Sequence, residues 1–130
     1  MGITLSWDEQ HSHIIQLSVN GSWTWEEFYN AMSAMHKEMD ASEQTTVDFI
    51  LDLRNGNKMP SNLLSNMRQV SNRKHPKSGR MIVVGAGRFA ELMFDVMGKV
   101  LPERMKQIDL VETMEEAYEL IAAKTPQVKS

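Results

Sequence analysis

A chain of 130 residues is the size of one domain, so a single unit over residues 1–130 is expected, with an ordered core at about 3–123. Its 42% hydrophobic and 24% charged residues exclude disorder and low complexity, and the absence of cysteine excludes disulfides, thiolate catalysis and thiolate-bound metal. The net charge of -3 is unevenly spread: Met1–Leu53 carries -8, Arg54–Arg80 carries +7 and Met81–Ser130 carries -2.

Ile3, Leu5 and Trp7 alternate with polar residues, as do Ile15, Leu17 and Val19, which predicts two half-buried strands. The short connection Asp8–Ser12 favours an antiparallel hairpin. Asn20-Gly21 is expected to end the second strand by turn chemistry. Thr24 and Glu27 have capping-box spacing, Trp23 and Phe28 are placed as a hydrophobic staple, and Trp25, Phe28, Met32, Met35 and Met39 recur at helical intervals. Val47–Leu53 is nearly continuously apolar, as a central strand covered on both faces should be.

A loop is expected over Arg54–Pro60 and a helix over Ser61 to about Lys74. That helix would bury Leu63, Leu64, Met67 and Val70, turn Asn62, Asn66, Arg68, Gln69 and Arg73 outward, and stop at Pro76 and Gly79. Met81–Val84 predicts a strand, Gly85-Ala86-Gly87 a turn into a third helix carrying Phe89, Leu92, Met93, Val96, Met97 and Val100, and Pro102 a break. Ile108–Val111 predicts a last strand, and Thr113 with Glu116 caps a fourth helix over Met114–Lys124, beyond which the tail should fray. The order β-β-α-β-α-β-α-β-α predicts an α/β fold: a small mixed sheet of about five strands, right-handed crossovers, and the first hairpin as antiparallel edge. No apolar run approaches the ~18 residues of a membrane span, and Met1–Asp8 lacks a basic n-region and an apolar h-region, so a cytoplasmic protein is expected.

The basic block admits two readings. Its bases could pair with acids of a neighbouring helix, or they could form a docking face for an anionic partner. Nucleic acid is disfavoured, because Arg54–Arg80 holds no Phe, Tyr or Trp to stack on bases.

Gly85-Ala86-Gly87-Arg88-Phe89-Ala90 fits the dinucleotide fingerprint, which makes Gly85, Gly87 and Arg88 a candidate anion or ligand site. Too little chain follows for the rest of a cofactor domain, and Glu112 stands late for the ribose-binding acid, so packing and turn geometry are the preferred explanation. His11 and His13 have a spacing compatible with a metal pair but lack a third ligand, so no metal site is assigned. Neither His36 nor His75 can be placed in a triad, and Asp48 and Asp52, four apart on one strand, are assigned structural roles. No catalytic residue and no cofactor is assigned.

Phe49-Ile50-Leu51-Asp52-Leu53, with the downstream Val111-Glu112-Thr113-Met114-Glu115-Glu116-Ala117, resembles the STAS domains, the SpoIIAA-like anti-sigma-factor antagonists. Those domains share this element order, a central strand ending in an LDL run, and the start of the last helix. The resemblance covers about residues 3–123 and implies a non-catalytic regulatory module. It would dock an anti-sigma-factor or kinase-like protein through the loop and helix after the central strand. On this chain those positions are Arg54, Asn55, Lys58, Ser61, Asn62, Arg68 and Arg73.

The family motif D-S-S-G aligns with Pro60-Ser61-Asn62-Leu63, and Asn62 stands where the family's phosphorylated serine would be. Asn cannot accept phosphate, so Ser61 is either a substitute phosphoacceptor or, preferably, a helix cap. An alternative of the same fold is a lipid or nucleotide module, with Trp23, Trp25 and the helix methionines as an apolar crevice, although core filling suits those side chains better. Homodimerisation is left open.

Overall fold

The computed structural model describes residues 2–56, 62–72, 75–85, 87 and 108–124, together with Asp95, Gly98, Lys99 and Pro102. Five strands, β1 (Ile3–Trp7), β2 (Ile14–Gly21), β3 (Val47–Gly56), β4 (Ser78–Val84) and β5 (Ile108–Val111), form one sheet in sequential order β1-β2-β3-β4-β5. The first pair is antiparallel and the other three are parallel, which is the mixed sheet expected from the element order. Three helices are described: α1 (Trp25–Ala41), α2 (Leu63–Asn72) and α3 (Met114–Lys124). The helix expected over Phe89–Val100, and the break at Pro102, fall on a stretch described only at the four single positions named above.

The sequential order decides which face each helix covers. Helix α1 links β2 to β3 and α2 links β3 to β4, both stepping in the same direction across the sheet, so right-handed crossovers put both on one face. Phe28, Met32, Met35 and Met39 of α1 and Val70 of α2 accordingly share a core with Ile15, Leu17, Val19, Val47, Phe49, Leu51, Leu53 and Val83. Helix α3 follows the last strand and is free of the crossover rule. It covers the opposite face, where Ala117 and Ile121 pack on Ile14, Ile50, Ile82 and Val84. Strand β3 is buried at seven consecutive residues because it lies between the two cores.

Both expected capping boxes are present. Thr24 Oγ1 accepts from Glu27 N at 3.1 Å while Glu27 Oε1 accepts from Thr24 N at 3.0 Å, and Thr113 and Glu116 repeat the exchange at 3.1 Å each way. The staple also forms, with the Trp23 and Phe28 rings 5.7 Å apart.

As expected, β2 ends at Asn20-Gly21, and Gly21 has φ +70°. Two other boundaries differ from expectation. The segment expected to open a loop at Arg54 stays in β3 to Gly56, because a register shift between Ser18 and Asn20 lets Asn55 pair with Asn20 and Gly56 with Gly21. Strand β4 begins at Ser78, ahead of Met81, because Ser78 pairs with Val47. Gly79 is required inside it: a Cβ there would come within 2.3 Å of Asp48 Oδ1. Among the described residues, no helix is long and apolar enough to cross a membrane.

Candidate binding site

The carboxyl end of β3 carries the chemistry that the sequence places there. Asp52 is buried, and Arg54 grips it through Nε at 2.9 Å and Nη2 at 2.8 Å while its own backbone N–H donates to Oδ1 at 3.1 Å. The Arg54 side-chain bond, above all, holds the Asp52 carboxyl below its usual range against the opposing effect of burial, and the same bond raises Arg54. The Arg54 side chain remains 48% exposed, so it is fixed in place and still open to solvent.

Arg54 also explains a glycine. Gly85, at the end of β4, has φ +73°, and a Cβ on it would lie 2.4 Å from Arg54 Cγ. The first glycine of the dinucleotide-like motif is therefore accounted for by turn geometry and by the arginine stem crossing it. Gly87 also has positive φ (61°), with none of the described residues within 4 Å of a Cβ placed there, and Arg88 lies outside the described residues.

Beyond β3, Asn55 is exposed, and α2 opens at Asn62. The Asn62 carbonyl accepts the Asn66 N–H at 3.2 Å, the first bond of the helix, so Asn62 is the cap residue. Ser61, expected from the sequence as a cap or a phosphoacceptor, lies outside the described residues, as do Lys58 and Arg73. Asn62 has φ +62°, the one non-glycine with positive φ among the described residues, and Asn is among the few types that tolerate it. Ser65, Arg68, Gln69 and Asn72 are exposed and Val70 is buried, as expected; the side chains of Leu63, Leu64 and Met67 lie outside the described set. Asn66, expected to face solvent, instead receives the Tyr29 hydroxyl at 2.7 Å, which pins α2 to α1.

The pairing expected for the basic block is realised in a different form. Arg54 takes Asp52, Arg80 pairs with Asp109 on β5 through Nε at 3.1 Å, and the Lys77 ammonium donates to the Met39 and Ser42 carbonyls at 2.9 and 2.8 Å. The acids come from strands, and Lys77 closes the carboxyl end of α1, which has no basic residue of its own in its last turn.

Three polar clusters escaped the sequence reading. Asp8, whose side chain is 5% exposed, accepts from the backbone N–H groups of Gln10 and His11 at 2.8 and 3.0 Å, from Gln16 Nε2 at 2.6 Å and from the Tyr118 hydroxyl. Burial alone would raise its pKa, but the bonds from Tyr118, His11, Gln10 and Gln16 prevail and hold the carboxyl at about 2. Burial and the bond to Asp8 push Tyr118 up to about 12, and the His11 ring stacks on it at 5.1 Å. His13 Nε2 stands 3.6 Å from Asp48 Oδ2, and Asp48, buried, accepts from Arg80 N at 2.9 Å. His75 Nε2 lies 2.7 Å from Asp40 Oδ1, its Nδ1 accepts from Lys77 N at 3.0 Å, and the His36 ring is 5.3 Å away.

Each cluster joins residues remote in sequence, 110 positions apart for Asp8 and Tyr118, and no local spacing signals them. Trp23, Met32, Met35 and Met39 are core residues packed on the sheet. No family model and no curated protein matches this chain.

Proposed function

We propose that this chain is a non-catalytic regulatory binding module of the STAS type, acting in the cytoplasm, that docks an anti-sigma-factor or kinase-like protein through the start of α2 and the segment before it. The observation that carries this reading is the polar, acid-free face of a firmly anchored helix. Asn62 at its start and Ser65, Arg68 and Gln69 along it are exposed, while Val70 and the Tyr29–Asn66 bond fix its other side. A docking surface gains from such anchoring, because less side-chain and backbone freedom is lost on binding. The resemblance in element order and in the LDL run of β3 directs attention to the same segment, and the half-exposed Arg54 stands at its edge.

Native mass spectrometry of the chain, purified gently from its own host, tests the proposal. A stoichiometric protein partner is expected, and Arg68→Glu should weaken its measured affinity about tenfold or more by reversing a charge on the docking face. An affinity unchanged by Arg68→Glu overturns the α2 surface. A retained lipid or nucleotide in place of a partner chain would instead support a ligand-binding module.

A further inference from the structure

The antiparallel strand at the sheet margin has one side in use. Its bonds to β2 run through the even-numbered residues: Asn20 N donates to Gly2 O at 2.7 Å, Asp8 N donates to Ile14 O at 2.9 Å, and the register between them pairs Thr4 with Ser18 and Ser6 with Gln16. Alternation of the antiparallel ladder then turns the N–H and C=O groups of Ile3, Leu5 and Trp7 away from β2, toward an edge with no neighbouring strand among the described residues. Native edges are commonly blunted by a charge, a proline or a bulge on the strand itself. The strand Ile-Thr-Leu-Ser-Trp has no charge and no proline, and its pairing with β2 is unbroken from Ile3 to Trp7.

The charge around this edge selects its occupant. Glu27 Oε2 accepts from Gly2 N at 2.9 Å at one end of β1, and Glu38 Oε1 accepts from Trp7 Nε1 at 2.8 Å at the other. Glu9 is exposed just beyond, and Met1–Leu53 holds a single base, Lys37, against nine acids. A second copy meeting edge to edge would set these acids against their own kind, so self-pairing is opposed by the rim while the ladder stays open.

We infer that β1 is a docking edge for an extended basic peptide segment of another protein, which adds a sixth strand to the sheet. Its main chain bonds to Ile3, Leu5 and Trp7, and its Lys or Arg side chains reach Glu27 and Glu38. Side chains on one face of a strand recur every second residue, and β1 spans about 14 Å from Ile3 to Trp7. The matching pattern is therefore two bases four residues apart with an apolar residue between them. This surface is distinct from that of α2, and the inference stands or falls independently of the function proposed above.

The probe is the blocked heptapeptide Ser-Lys-Thr-Val-Thr-Lys-Ser, titrated into the isotope-labelled full chain at low salt beside a control in which both Lys are Glu. Expected are saturable shifts centred on the Ile3, Leu5 and Trp7 amides, slowed exchange of those three protons, and binding about tenfold tighter for the Lys peptide. Glu38→Lys, which leaves one acid and one base at the edge, should abolish that preference, and Leu5→Pro, which deletes an outward N–H and leaves the bonds to β2, should abolish binding by a chain whose spectrum remains folded. Equal affinity for the two peptides, shifts centred on another surface, or no binding overturns the inference. Concentration-dependent dimerisation through the β1 amides would overturn it in favour of a second copy.

Discussion

A carboxylate with a side chain 5% exposed is stable as an anion only if its lone pairs are occupied, and Asp8 meets that condition with donors from four different residues. Its folded pKa of about 2 lies below the ordinary 3.8, so the stabilisation is complete above pH about 4 and is lost as pH falls from there toward 2. Tyr118 has the opposite sign. Its folded pKa, about 12, is raised above 10, so its contribution is complete below pH 10 and is lost as the phenolate forms between 10 and 12. Tyr118→Phe should cost about 1.5–3 kcal/mol in urea denaturation at pH 7, since the lost bond is made to a charged and buried group. Acid unfolding of the variant should begin at higher pH, and ultraviolet titration should lose the tyrosinate that appears near 12. An unchanged urea midpoint would show that Gln16, Gln10 and His11 suffice to hold Asp8.

Among the elements, both ends of α1 are closed from outside the hydrophobic pattern: Thr24 with Glu27 at the start, and Lys77, delivered by the turn before β4, at the finish. The first is legible in four consecutive letters; the second cannot be, since the ammonium reaches back 38 residues to Met39. The same contrast governs the strands. Alternation and apolar runs identify all five, because burial on a sheet face is a local property of the chain. The extra length of β3 beyond Leu53 is a property of its pairing with β2, and no segment read alone contains it. Gly85 offers a test at this scale. Gly85→Ala forces a side chain into a left-handed backbone and against Arg54, which should cost about 1–3 kcal/mol. In an Arg54→Ala background the cost should fall by about 1 kcal/mol, read from a double-mutant cycle of thermal or urea unfolding. Zero coupling would mean that backbone conformation alone excludes alanine there.

At the scale of the whole molecule, two cores share one sheet, and β3 belongs to both. All three tryptophans, Trp7, Trp23 and Trp25, lie in the α1-side core, whereas Ile121 lies in the other. Ile121→Ala should destabilise by about 2–4 kcal/mol, and tryptophan fluorescence and far-ultraviolet circular dichroism should lose equal stability, since strands common to both faces couple them. Transitions that separate would show that the α3 face melts on its own. The candidate site was partly legible at this scale: the uneven charge and the residues after the LDL run point to α2. What the charge pattern conceals is that Arg54, Lys77 and Arg80 are engaged within the fold, because their partners come from β3, β5 and the end of α1.

The sequential strand order has a consequence for how the chain assembles. Every strand after the first is laid beside the one made just before it, so the sheet can lengthen in the direction of synthesis, with no gap held open for a later strand. Among the described residues, the contacts of α3 come last in chain order. When Tyr118 reaches Asp8, 110 residues back, α3 fastens the loop of the first hairpin, and the carboxylate there gains a donor that the hairpin itself cannot supply.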